Sequence, residues 1–378
     1  MRVIDTTTTR LVIGGALALA FCSAVNAQLP PVKLGPTPTE SNFFIATPPG
    51  WVQPKTPWGD PDLQGIWPIS YVGTVSLQRC VPAFGARPPA GSPPCDPHKA
   101  FLTATEFDAI QERAAKQPDR YKQVVKDGEA GRAFLAGVMD NFTPQRQTSL
   151  IMDPPDGKLP EMTPEGKRLS GLMKSSWPLP GEKLAFDSYT DFDSWDRCIT
   201  RGLPASMFPF RYNNGLQIIQ TPGYVALRME MIHESRIIPI NGPPVSPAIK
   251  EWLGVSNGHW EGNTLVVETT NFKPGASATN TGVGGSPAGN RFPISDQMKM
   301  TERFTRVNKD FLIYSITVDD PVVLTHSWTA RFPLKLDNGF QILEYACTED
   351  NNMIPHWIST SRAERAQEAA KAAGKEQH

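Results

Sequence analysis

The sequence predicts a mainly β protein with α segments: an antiparallel β-barrel or curved meander sheet, preceded by a helical insert and a proline-rich arm. Three observations lead there. Apolar and polar residues alternate with period two from Gly215 to Cys347, helical spacing is concentrated between residues 103 and 140, and proline crowds the first hundred residues. The expected divisions are 1–27, 28–100, 101–190, 191–350 and 351–378.

The first division reads as a secretory signal. Arg2 and Arg10 precede the apolar run Leu11 to Phe21, which is too short for a membrane anchor, and Val25-Asn26-Ala27 offers small residues for cleavage near Ala27. Cys22 raises lipidation as an alternative, with Phe21 a poor fit to the small residue it wants. A periplasmic or secreted location follows, with no integral membrane anchor expected. Lys plus Arg number 37 against 38 Asp plus Glu, so no basic excess exists to attract nucleic acid.

Export also frames the cysteines. Cys80, Cys95, Cys198 and Cys347 allow three pairings. Cys80–Cys95, closing a proline-rich loop, and Cys198–Cys347, tying the start of the β region to its end, are favoured. Their spacing fits no zinc pattern, so no metal and no cofactor are expected.

In the arm, "TPPGWVQPKTPWGDPDLQGIW" combines prolines, which remove backbone donors, with Trp51, Trp58 and Trp67, which favour burial. Extended chain lying across a folded body is expected. "DLQGIW" resembles the Gly-x-Trp opening of lipocalin-type barrels, which implies a lipocalin-like general shape.

The insert starts with Thr103-Ala-Thr-Glu106, a capping-box pattern, followed by Phe107, Ile110 and Ala114 at helical spacing. Pro118 breaks this run, and a second helix is expected over 119–139. A third starts at Thr163-Pro164, and the Ala- and charge-rich tail predicts a last one.

Strands are expected near 215–220, 223–233, 235–240, 263–270, 297–306, 311–319, 322–332 and 339–347. Residues 271–296 are Gly- and Ser-rich and too long for a turn, as ligand loops often are.

Candidate site residues come from breaks in the alternation. In "GYVALRMEMIHE", Arg228 and Glu230 share one side of a strand. Met298-Met300-Glu302-Phe304 places a carboxylate on an apolar face, and Phe340-Ile342-Glu344-Ala346 and Thr264-Val266-Glu268-Thr270 repeat this. These carboxylates would converge on one lumen with Arg228 as counter-charge. Burying them separates their pKa values and so supplies acid and base. The alternative is cross-strand ion pairs at the barrel ends, each worth under about 1 kcal/mol.

His233 ends the Met-rich side of the same strand, among Glu230, Glu234 and Arg236, which suits proton transfer. The assignment is therefore catalytic roles for His233, Glu230, Arg228 and Glu268. Substrate contacts would come from His259 and Glu261 of "NGHWEGNT", from Glu302, Glu344 and Glu349, and from Arg201, Tyr212 and Asn214 of the donor-rich loop "DRCITRGLPASMFPFRYNNGLQ". That loop could equally plug the barrel.

"DRCITRGLP", "YNNGLQIIQTPGYVALRMEMIHESRIIPI", "GHWEGNTLVVETTNF", "ERFTRV", "TVDDP" and "EYACTED" resemble a large group of exported bacterial proteins of uncharacterised function. The resemblance spans Asp196 to Asp350 and brings no activity with it. Where the group usually reads Cys-His-Glu-Gly-Asn, this chain reads Cys347-Thr348-Glu349-Asp350-Asn351, so Glu349 would act without that histidine.

Two function classes follow. One is a cofactor-independent isomerase, lyase or hydrolase acting by proton transfer on a hydrophobic small molecule. The other is a lipocalin-like binding protein for an apolar ligand. Oligomeric state is open.

Overall fold

The computed structural model describes residues 45, 47–81, 94–115, 143–178, 181–210, 212–279 and 292–375. The expected signal segment, the start of the arm and the second helix over 119–139 lie outside the described residues.

Among the described residues the fold is mainly β, with two larger antiparallel sheets, one two-stranded pair and three α-helices. The smaller sheet has the order β1-β3-β4-β5: β1 (Gly65–Ile66), β3 (Leu216–Thr221), β4 (Tyr224–Met229) and β5 (Ser235–Pro239). The larger has the order β2-β12-β11-β10-β7-β6. Its strands are β2 (Ile151–Asp153), β6 (Val255–Glu261), β7 (Thr264–Thr270), β10 (Lys299–Arg306), β11 (Phe311–Asp319) and β12 (Trp328–Lys335). β8 (Gly275–Thr279) and β9 (Phe292–Ile294) pair within the region expected to be one long loop.

Alternation builds the core. Leu216, Ile218, Val225, Leu227 and Ile238 of the small sheet are buried, as are Leu265, Val267, Met300, Phe304, Tyr314 and Phe332 of the large one. Full burial of each large apolar side chain contributes roughly 1.5–3 kcal/mol. Phe304 and Tyr314 meet at 4.8 Å between ring centroids, and Tyr314 and Phe332 at 5.2 Å. These rings occupy the space in which an enclosed lumen was expected. A void beside Trp328 measures about 10 Å³, at the lower limit for one water.

The arm does more than lie across the body. Its Gly65 and Ile66 pair with Ile218 and Gln217, and Leu63 and Trp67 are wholly buried. Gly65 has φ 140°, a backbone conformation that favours glycine.

α1 (Ala104–Ala115) starts as expected: Glu106 N donates to Thr103 Oγ1 at 3.3 Å, and Thr103 N donates to Glu106 Oε2 at 2.8 Å. α2 (Pro164–Leu172) is capped by Thr163, which accepts from Gly166 N at 2.9 Å. α3 (Met353–Lys375) places Trp357 against Phe186 at 5.4 Å. Among the described residues no helix is long and apolar enough to cross a membrane.

Four strand assignments need correction. The expected 322–332 strand is β12, which starts only at Trp328 and runs to Lys335, because residues 321–323 form a turn. The 223–233 strand stops at Met229, because Glu230 takes a helical conformation and Ile232 and His233 have φ 57° and 44°. β6 is absent from the expected strands, since Asn257 and Gly258 are poor strand formers, yet it pairs with β7 along its whole length. Residues 339–347 form no strand: they are an irregular strap, fastened to the body by Asp337 N donating to Ile66 O at 2.9 Å and by Cys347.

Candidate functional site

Both favoured disulfides are present, Cys80–Cys95 and Cys198–Cys347. The second ties the strap to the loop holding Arg201, so three distant segments meet there: Asp193–Asn214, Glu230–Glu234 and Leu343–Asn351.

Several expected site residues gather at this junction, but as structural ties. Glu230 is buried and accepts from Asn213 Nδ2 at 3.1 Å, Gly215 N at 2.9 Å and Leu343 N at 3.1 Å. Asn214 closes a turn: its amide donates to Phe210 O at 2.8 Å, and its oxygen accepts from Phe210 N at 2.7 Å. Exposed His233 places Nδ1 2.9 Å from Tyr345 O. No hydrogen bond or ion pair joins its imidazole to the Glu230 carboxylate. Tyr212 is exposed, and its ring lies nearly parallel to that of Tyr345, 6.4 Å between centroids.

Arg201 is fully enclosed. Its Nη1 donates to Phe208 O at 2.9 Å and its guanidinium lies 5.0 Å from the Phe210 ring centroid, while Nε and Nη2 have no partner. Burial pushes its pKa down to about 10, against the opposing pull of Glu234. Glu234 is itself taken up by Thr200 Oγ1 at 2.5 Å, Arg201 N at 2.7 Å and Ser206 Oγ at 2.6 Å. Burial raises the Glu234 pKa, and those donors oppose the rise.

The remaining carboxylates do not converge. Glu302 does face the core and is wholly buried, but its counter-charge is Arg236, not Arg228. Arg236 Nη1 donates to Glu302 Oε1 at 3.0 Å and Nη2 to Oε2 at 2.5 Å. Nη2 also reaches Ser256 Oγ at 3.0 Å and Thr269 Oγ1 at 3.1 Å, and Tyr314 OH donates to Glu302 Oε1 at 2.8 Å. Burial opposes the charge on Arg236, but Glu302 outweighs it and holds the pKa above its ordinary value.

Arg228 faces outward, because Val225, Leu227 and Met229 supply the buried side of β4. Glu268 is exposed and paired with Lys299 at 2.6 Å. His259 and Glu261 belong to an outer-face group with Arg303, in which Glu261 Oε2 accepts from Arg303 Nη2 at 2.6 Å. Glu344 and Glu349 are exposed on the strap, which follows no strand alternation.

A cleft of about 850 Å³ opens where the two sheets adjoin. β5 and β6 end their respective sheets and touch through a single parallel bridge, Ile240–Gly258. The cleft begins at Ser235, two residues after His233. Ile237, Pro239, Pro243, Val245, Trp252 and Leu253 supply apolar wall. Arg236 and Ser256 line the opening between the two edges, and the Arg236 Nε is buried without a partner. Lys250, Lys299, Glu251 and Glu268 bring both signs of charge.

The loop over the cleft is held at both ends. Asn241 N donates to Gly258 O at 2.7 Å, Glu251 N donates to Asn271 O at 3.0 Å, and Lys273 N donates to Glu251 O at 2.8 Å. Lys273 Nζ stands 4.5 Å from the Trp252 ring centroid, which braces that ring. The sequence reading attended to Arg236 only as a neighbour of His233. The usable signal was Glu234-x-Arg236-x-Ile238, three alternate positions of which one is plainly core. Among the described residues no group of three or more His, Cys, Asp or Glu side chains could hold a metal ion.

No protein-family model, curated protein or solved structure matches the chain, so its site is read from geometry alone.

Proposed function

We propose that this is an exported binding protein whose ligand enters the cleft between β5 and β6. In this reading the two sheets are halves of a barrel that stays open along those strands. The carrying observation is an opening of about 850 Å³ bordered by two strand edges and walled by apolar side chains. Apolar walls with a few fixed polar groups are what small-molecule sites offer. The ligand is an organic molecule with an apolar body and a hydrogen-bond acceptor.

The apolar fluorophore N-phenyl-1-naphthylamine tests this. It should bind with saturation and receive energy from tryptophan. Trp252→Ala should weaken it by roughly tenfold with an unchanged melting temperature. Equal binding by Trp252→Ala would place the probe elsewhere and remove the proposal.

A second reading, acid–base catalysis at His233, is favoured by one observation. Ile232, a β-branched residue, holds φ 57°, a left-handed conformation costing of order 1–3 kcal/mol that clusters at functional sites. His233→Ala abolishing turnover of a bound substrate, with binding intact, would support it.

A further inference from the structure

We propose that the ligand is an extended peptide segment that hydrogen-bonds to the free edge of β5, an inference that rests on the cleft being the binding site. Three independent features support it: the phase of the β4–β5 ladder, the matching edge of β6, and the charge around the cleft.

The ladder phase is set at its two ends. Met229 N donates to Glu234 O at 2.8 Å, and Ile240 N donates to Gly223 O at 2.8 Å. In an antiparallel pair, bonded and non-bonded residues alternate. Glu234, Arg236, Ile238 and Ile240 therefore turn their main-chain groups to β4. Ser235 and Ile237 turn theirs the other way, where the sheet has no further strand among the described residues.

β6 has the same character. Gly258 O accepts from Asn241 N at 2.7 Å, so the Gly258 carbonyl points toward β5, and alternation gives the Ser256 main chain the same direction. The edges are joined at Ile240–Gly258 and line a cleft on the side of Ser235 and Ser256. Two strand edges bordering one opening suit a ligand that repeats an N–H and a C=O every second residue, which is an extended chain. Five residues of β5 correspond to about 16 Å, the length of a bound segment of four or five residues.

Charge favours the same class. Lys250 and Lys299 balance Glu251 and Glu268 around the opening, and Arg236 is neutralised by Glu302. A free anion or cation finds no net attraction there, and a chain of neutral amides meets no opposing charge. The wall at Trp252 and Val245 takes alternate side chains.

The test uses the full oxidised chain and a pool of acetyl- and amide-capped pentapeptides, with Val, Leu or Pro at odd positions and Ser or Thr at even ones. The pool should displace N-phenyl-1-naphthylamine and slow hydrogen exchange of the Ile237 amide. A pool N-methylated at its central residue should bind more weakly by at least roughly tenfold. Ile237→Pro removes an N–H facing the cleft and none facing β4. It should weaken the peptides by a similar factor and leave the fluorophore untouched. If that variant fails to fold, N-methylation decides alone.

Fluorophore binding that the pool at about 1 mM leaves undisturbed, or equal displacement by methylated and unmethylated pools, would overturn the peptide and leave the binding cleft standing. Failure of the fluorophore to bind, together with unchanged Ile237 exchange under the pool, would overturn both.

Discussion

Two arginines, Arg201 and Arg236, are equally hidden from solvent and are handled in opposite ways. Arg236 meets a bidentate carboxylate, two hydroxyls and a tyrosine-braced partner, and its charge is held firmly. Arg201 meets one carbonyl and the faces of two aromatic rings, keeps two donors unpartnered, and has its pKa pushed down to about 10. The nearest carboxylate, Glu234, is occupied by hydroxyls and a backbone N–H. Burial alone therefore says little about what a charged side chain contributes. The partner set decides, and the two sites should respond very differently to mutation.

The largest expected effect is at Glu302. Glu302→Gln leaves the Arg236 charge enclosed without a counter-charge, which costs about 3–5 kcal/mol. Urea denaturation should show the midpoint falling at an unchanged slope. The double variant Glu302→Leu, Arg236→Met should recover most of the loss, because an apolar pair of similar volume replaces the ions. A single-variant loss under about 1 kcal/mol would mean that the pair is solvated and that the contrast with Arg201 is false.

Next comes Asp193, on the loop beside Arg201. Burial, and then the neighbouring Asp196, raise its pKa from 3.8 to about 6. The folded state therefore holds this proton more tightly than the unfolded chain does. The associated stability is complete below the unfolded value and is lost as pH rises through about 6, by at most about 3 kcal/mol. Asp193→Asn keeps one oxygen for Trp195 N and Asp196 N, now 2.9 and 2.8 Å away, and its amide can donate to Ser175 Oγ. The variant should be more stable than the parent at pH 7, with the difference shrinking toward pH 4. A difference independent of pH would assign the shifted proton to another group.

Arg201→Met should cost little, within about 1–2 kcal/mol, because it removes a charge with poor compensation and leaves only Phe208 O short of a donor. A loss near that of Glu302→Gln would show that the two arginines are equivalent after all.

The sequence carried the helix caps, both cysteine pairs and the inward Glu302, because each depends on local pattern or simple pairing. Thr103 and Thr163 cap where the motif places them. Glu302 follows strict alternation between Met300 and Phe304, and the register keeps it there opposite Val267 and Ile316. Alternation failed where the chain leaves the strand. At Glu230 the backbone turns helical, so a residue on the wet side of β4 enters the interior. In the strap, Phe340, Ile342 and Glu344 alternate in sequence without any ladder to enforce it. The cleft was not readable, since it depends on how two edges separate, which no residue pattern encodes.

The smallest expected effect separates inside from outside on one sheet. Glu268 and Glu302 sit on neighbouring strands, yet Glu268 faces solvent and pairs with Lys299 at 2.6 Å. Both partners are about half exposed, so water screens their attraction and ordering two long side chains offsets much of it. Glu268→Gln should cost under about 1 kcal/mol, and the loss should vanish in 1 M salt, where the Debye length is about 3 Å. Glu302→Gln should keep its full cost in the same salt, because ions do not reach the space between the sheets. A Glu268→Gln loss that persists in salt would mean that its pair is shielded by the cleft loop, and that the outer face near Lys299 is more enclosed than its exposure indicates.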